Sequence, residues 1–294
     1  MPAVTLPRAH GPDAPAESLL TMLAVVAICV LAAGYGRGVH ELWYRRGAGA
    51  VLPAWRVGAF GAGVLVVLAA DHGPVHTLAE SSFAGHMAQH MLLLLVAGPL
   101  LAAGAVGLPL SLAAPRSLRR LLARCRASPP VRRLRRPTAY APLAGAAQMV
   151  MLWFWHLPGP YVAAVDRPAV HAAEHLCLLG TAWLFWAPVL GAARRRPPAP
   201  VTVLLLVGTM LPASALGAVL TFAPEPVYPP RVLGPDPLTD QQLAGLLMWA
   251  PMDAVVLVVA LAVFLRWLLR MDRSDVPQAV ARPAVAEAGS EGMA

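Results

Sequence analysis

The sequence predicts an all-α protein, a polytopic membrane helix bundle with seven transmembrane helices, its N-terminus outside and its C-terminus cytoplasmic. Three observations carry this. Of 294 residues, 58% are hydrophobic and only 13% charged, whereas a soluble domain carries roughly 25% charged residues. Apolar stretches approaching the ~20 residues of a membrane crossing recur along the chain. All 23 basic residues are arginines, and they gather in short runs between alternate apolar stretches. The net charge of +8 could suggest nucleic acid, but membrane orientation explains the same charges and no nucleic-acid partner is expected. Cys29, Cys125 and Cys177 are far apart, with no CxxC pair, which argues against a thiolate metal site.

Residues 1–18 are polar and Pro-rich, lack the pattern of a secretory signal, and read as an extracytoplasmic tail. Residues 19–270 form the membrane domain. Span 1 is expected at 19–35, followed by a loop with Arg37, Arg45, Arg46 and Arg56. Span 2 covers 57–70, with Arg56 snorkelling at its start. Residues 71–85 read as a polar turn, with Asp71 ending span 2. Span 3 covers 86–108 and should bend at Gly98-Pro99, where proline removes a backbone donor. Residues 115–137 hold nine arginines and no acid. Span 4 covers 139–156, and 157–170 reads as a Pro/Gly loop. Spans 5, 6 and 7 cover 171–190, 200–222 and 243–269, and residues 271–294 read as a disordered cytoplasmic tail.

Seven alternating spans put the arginine-bearing loops after spans 1, 3, 5 and 7 on one face. Those loops and the C-terminal tail hold 20 of the 23 arginines; only Arg8, Arg167 and Arg231 fall opposite. The positive-inside rule makes the rich face cytoplasmic. Eight of the nine histidines, all but His40, then lie at or near the outer face. Scattered structural histidines would have no reason to choose one side.

The outer helix ends carry the chemistry. In His86-Met87-x-x-His90-Met91 a helix sets the imidazoles about 40° apart, with the thioethers on the adjoining strip. Imidazole and thioether suit a soft or borderline metal, copper above all; interfacial polarity with methionine as packing filler is the bland alternative. His171-x-x-Glu174-His175 repeats the four-residue spacing. A lipid-facing Glu174 would be costly, so it should face the bundle interior. The same spacing occurs in inverzincin metalloproteases, on a short match. His156 closes span 4 beside Trp153 and Trp155, which an aromatic belt explains, although it does not explain the histidine. Asp240 is expected to cap span 7. Gln241, Gly245, Met248 and Met252 share a face within about 60°, and Gly245 would admit another helix closely. Asp253 reads as a buried acid, a candidate proton or metal partner. Asp71, His72 and His76 read as a solvated loop or an auxiliary metal-capturing segment.

These residues carry a resemblance. Gly85 to Val96 with Pro99-Leu-Leu, Trp155-His-Leu-Pro with Tyr161, His171 with Glu174-His175 and Phe185-Trp186, and Asp240 to Trp249 occur in the order found in the multi-pass cytochrome c oxidase assembly factor CtaG family, which the chain resembles from about Trp55 to Trp267. The turn Asp71-His72-Gly73-Pro74 departs from the family pattern, where Ser-Pro without histidines is expected. The resemblance implies a seven-helix protein of the bacterial plasma (inner) membrane, needed to assemble haem-copper oxidases and plausibly helping copper reach the catalytic subunit.

Read together, these features predict a non-enzymatic assembly factor that binds copper through His86, His90, His171 and His175, with His156 as a fifth ligand or as a base supporting one. Met87, Met91, Met248 and Met252 would supply thioethers, and Glu174 would orient a histidine or accept its proton. The expected partners are haem-copper oxidase subunits, an extracytoplasmic copper carrier and membrane lipids. The alternatives are a b-type haem electron carrier and a metal-independent oxidase assembly scaffold.

Overall fold

The computed structural model describes residues 14–192 and 196–280, with side chains described for 18–192 and 196–271. All regular structure among the described residues is helical. In chain order the helices are α1 (Ala14–Arg46), α2 (Ala54–Asp71), α3 (Pro74–Ser81) and α4 (Phe83–Leu92), then a π-helical turn at Leu93–Ala97, then α5 (Gly98–Ala103) and α6 (Gly107–Ala113). There follow α7 (Arg116–Ala127), α8 (Pro129–Leu134), α9 (Pro137–Trp155), α10 (Pro158–Asp166), α11 (Pro168–Leu190), α12 (Ala199–Phe222), a 3-10 turn at Pro230–Val232, and α13 (Pro237–Val280).

Six helical segments are long and apolar enough to cross a membrane: α1, α2, α4 to α5 taken as one rod, α11, α12 and α13. The expected fourth span, α9, is helical but lowered in hydropathy by Pro137, Tyr140, Pro142, Gln148 and its tryptophans. Asp71 does end α2. The stretches expected as turn and loop at 71–85 and 157–170 instead contain α3 and α10, each started by a proline whose fixed φ suits a helix's first turn. The arginine-rich stretch is also helical, as α7 and α8. The last helix passes the expected boundary at 269 and is described to Val280. Residues 1–13, 193–195 and 281–294 lie outside the described residues.

Span 3 departs from expectation in a way chemistry explains. The helix does not simply bend at Gly98-Pro99; it widens into the π turn just before it and stops at Ala103. The Gly98 amide reaches back to the Leu93 carbonyl. In that register the Leu94 carbonyl would need an amide hydrogen from residue 99, which proline lacks. Trp186 supplies it from α11, its Nε1 donating to Leu94 O at 3.2 Å. Pro188 leaves the Leu184 carbonyl unpaired in the same way, and the Tyr140 hydroxyl of α9 fills it at 3.1 Å.

The main core joins α4 and α9 to α13 and is built from their buried apolar faces. Glycine permits a close crossing between α12 and α13: a Cβ on Gly245 would stand 2.6 Å from the Gly217 carbonyl. A smaller core holds α1 against α2, where Tyr35 stacks on Phe60 at 3.8 Å and donates to Gly104 O. At one end of the bundle Arg56, at the start of α2, donates to Ala103 O and Leu190 O at the ends of α5 and α11. The opposite end gathers the end of α2, the starts of α4, α11 and α13, and the end of α9. α4 stands at the centre there, buried at nearly every position, polar ones included.

Candidate metal centre

The start of α4 is pinned from a distance. Its first amides need acceptors, and Asp240 of α13 provides them, taking Phe83 N at 2.8 Å and Ala84 N at 3.0 Å. The same carboxylate accepts Gly234 N at 2.7 Å, and Ser82 caps Gly85 N. Asp240 was expected to cap its own helix. Because α13 begins earlier, at Pro237, Asp240 lies within its first turn and is free to cap α4 across the bundle. Gln241 holds the loop before α13, accepting from Val227 N at 2.6 Å.

With both helices fixed, the four-residue spacings bring imidazoles together. His86 and His90 on α4 have ring centroids 4.5 Å apart, and His171 and His175 on α11 are 4.1 Å apart. The pairs face each other, His86 lying 5.2 Å from His171 and His90 5.4 Å from His175. Glu174 sits between them, Oε2 at 3.5 Å from His86 Nε2 and Oε1 at 3.7 Å from His90 Nε2. Ligating atoms of His86, His171, Glu174 and His175 all lie within 4.8 Å of one another. Donors on a tetrahedral ion with bonds of about 2.0–2.1 Å stand about 3.3 Å apart, so the group needs to contract by roughly an ångström or more to grip one.

The site is buried and unsatisfied. His90 and Glu174 have no exposed surface, and His86 and His175 are buried. Even so, His86 Nε2, both nitrogens of His90, His171 Nε2, His175 Nε2 and both oxygens of Glu174 lack a hydrogen-bond partner. Each such atom costs about 1–3 kcal/mol. Seven of them gather on one spot. Imidazole nitrogens and a carboxylate are the donor set of a borderline metal ion.

Asp71, at the end of α2, accepts His175 Nδ1 at 2.8 Å. That bond fixes the proton on Nδ1 and leaves Nε2 as a lone pair, the usual support of a metal-binding histidine. His76, expected in a solvated loop, lies on α3 with its ring 6.3 Å from His171. Overhead, Phe83, Tyr161 of α10 and Tyr228 form an aromatic lid with centroids 4.7–4.9 Å apart. The Tyr228 hydroxyl donates to His156 O at 2.6 Å. Burial first, then the neighbouring Glu174, push both tyrosine pKa values up, so the lid stays uncharged. Sequence reasoning missed Tyr228 and left Asp71 between a helix terminator and part of a loop with His72 and His76. The signals available were a tyrosine set among prolines and an acid ending an apolar run.

The remaining expected ligands separate. His156 donates Nδ1–H to Leu152 O at 2.6 Å, and its Nε2 meets Met87 Sδ at 3.2 Å. Met91, Met248 and Met252 belong to the apolar core. Met252 lines a cavity of about 20 Å³ with Gln148, Met149 and Trp186. Asp253 accepts from Ser214 Oγ at 2.6 Å.

Comparison with curated proteins and with solved structures returns no match. A family model does match, over residues 33–270, a stretch that contains every residue of the cluster, its lid and its supports, and the chain belongs to that family, the cytochrome c oxidase caa3 assembly factors (Caa3_CtaG).

Proposed function

We propose that this cytochrome c oxidase assembly factor handles copper, binding it at the ends of α4 and α11 and passing it to the catalytic subunit of a haem-copper oxidase. One observation supports this above the rest: the donors of His86, His171, Glu174 and His175 converge within 4.8 Å, largely buried and unpartnered. Copper is cargo here, so donors that must draw together to hold it suit a carrier better than a closed cage would. The donor would be an extracytoplasmic copper carrier, and the recipient an oxidase subunit meeting the bundle within the lipid.

The same reading sets the topology. α9 is the seventh crossing, since it runs between α11 and α12, with Tyr140 bonded to one and Trp153 to the other. Seven crossings put the arginine-rich end in the cytoplasm and the histidine end outside, in a bacterial plasma membrane. The role is non-catalytic: Glu174 has no exposed surface, so a peptide does not reach it as a protease would require. A haem needs a flat slot between two axial imidazoles. Here the space between His86 and His175, 6.4 Å apart, is crowded by the rings of His90 and His171.

The test is metal analysis of the purified protein beside oxidase assembly in cells. Wild type should bind copper stoichiometrically without a Soret band. His86→Ala with His90→Ala should lose the copper and the assembled oxidase together. Intact assembly by that double variant would leave a metal-independent scaffold as the function.

A further inference from the structure

We infer that the cluster contains two metal positions rather than one, and that the inner position, formed by His90, His156 and Met87, is specific for monovalent copper. This deepens the copper-handling reading and rests on it. The outer position has nitrogen and oxygen donors only: His86, His171, Glu174 and His175. The inner group differs in composition, depth and helix of origin.

Met87 and His90 have no exposed surface and His156 is buried. The His156 Nδ1–H bond to Leu152 O leaves Nε2 as a bare lone pair, and it faces the Met87 sulfur at 3.2 Å. Neither atom brings a hydrogen to that contact. Two electron-pair donors therefore face each other at close range, where a cation drawn between them would relieve the contact. With bonds of about 2.0 Å to nitrogen and 2.3 Å to sulfur, a trigonal ion would part them to about 3.7 Å. That needs half an ångström of movement by an unbranched, adaptable methionine.

The His90 and His156 ring centroids are 5.7 Å apart. An imidazole centroid stands about 3 Å from an ion bound through nitrogen at about 2.0 Å, so this separation matches two rings sharing one ion at an open, trigonal angle. Two imidazoles and a thioether with no carboxylate form a soft, uncharged set, which favours Cu(I) over divalent ions. His90, a ligand of the inner position, also borders the outer one. Both its nitrogens are unpartnered, and Nε2 lies 3.7 Å from Glu174. An ion released by the carboxylate-bearing position therefore has a ligand already in place for the next one, deeper in the bundle.

The experiment uses the full-length protein in detergent. Cu(I), loaded without oxygen, is measured by chelator competition and X-ray absorption, and Zn(II) is measured in parallel. Wild-type protein should show a sulfur neighbour near about 2.3 Å. Met87→Leu, close in volume and able to keep the core, should lose that sulfur and weaken Cu(I) about tenfold or more. It should leave Zn(II) affinity unchanged. His156→Gln should likewise weaken Cu(I) and spare Zn(II). Copper held by nitrogen and oxygen alone, or a sulfur signal that survives Met87→Leu, overturns the inner position and leaves the outer one standing. Failure of wild type to bind either ion overturns both.

Discussion

The two ends of the bundle treat polar groups in opposite ways. At the arginine end the charges lie mostly in water, with α7 and α8 presenting exposed arginines, and the partly buried Arg56 rests on the carbonyl ends of α5 and α11. Cations at helix C-termini are favourable, and each charge there has an electrostatic reason to stay. At the histidine end the groups are buried, crowded and short of partners. Folding alone would have removed them, since replacing unpaired buried polar atoms with apolar ones is neutral or stabilising. The arginine end is explained by insertion and packing. The histidine end is not explained by either, and the copper-handling proposal addresses it.

The largest effect should come from the residue that most offends the fold. Glu174→Leu replaces a buried carboxyl that has no hydrogen-bond partner with an apolar side chain of similar size, so the metal-free protein should become more stable, by about 1–3 kcal/mol. Its metal affinity should fall at least about 100-fold, the upper end of what loss of a supporting group costs. Opposite signs for stability and binding are the mark of a site kept for function. Thermal unfolding of metal-free protein and a competition titration read the two quantities. A destabilised variant that still binds metal would make Glu174 an ordinary core acid.

Next comes Asp71→Asn. It keeps an oxygen near His175 Nδ1 but removes the charge that fixes the ring, so metal binding should weaken about 10–100-fold with little change in unfolding temperature. Unchanged binding would show that Asp71 only ends α2.

Much of this contrast was legible in the sequence, because it is written in residue types and spacings. Four-residue histidine pairs fix a helix face whatever surrounds it, and arginine asymmetry survives errors of several residues in helix ends. What stayed hidden depends on non-local geometry. Asp240 capping α4, 157 residues away, follows from where α13 starts, which no local pattern gives. The contact of His175 with Asp71 crosses 104 residues. Methionines on a common helical strip could not be sorted beforehand: Met87 faces an imidazole, while Met91, one turn further, lies in apolar core. The π turn needed the coincidence of Pro99 with a tryptophan from another helix.

The smallest effect should be seen at the other end, and it tests whether the two ends are independent. Arg56→Met keeps a long apolar stem and removes the guanidinium that donates to Ala103 O at 2.6 Å and Leu190 O at 3.4 Å. The first bond is short and charge-assisted, the second long, so their loss should cost about 1–3 kcal/mol, seen as a lower unfolding temperature. Copper bound per folded molecule should not change, because no histidine, acid or lid residue touches Arg56 or the two carbonyls it serves. One charge among the many arginines of α7 and α8 and their neighbours should also leave membrane orientation intact. If Arg56→Met instead released copper at temperatures where the protein stays folded, the ends would be coupled through α5 and α11, and the arginine end would belong to the transfer mechanism.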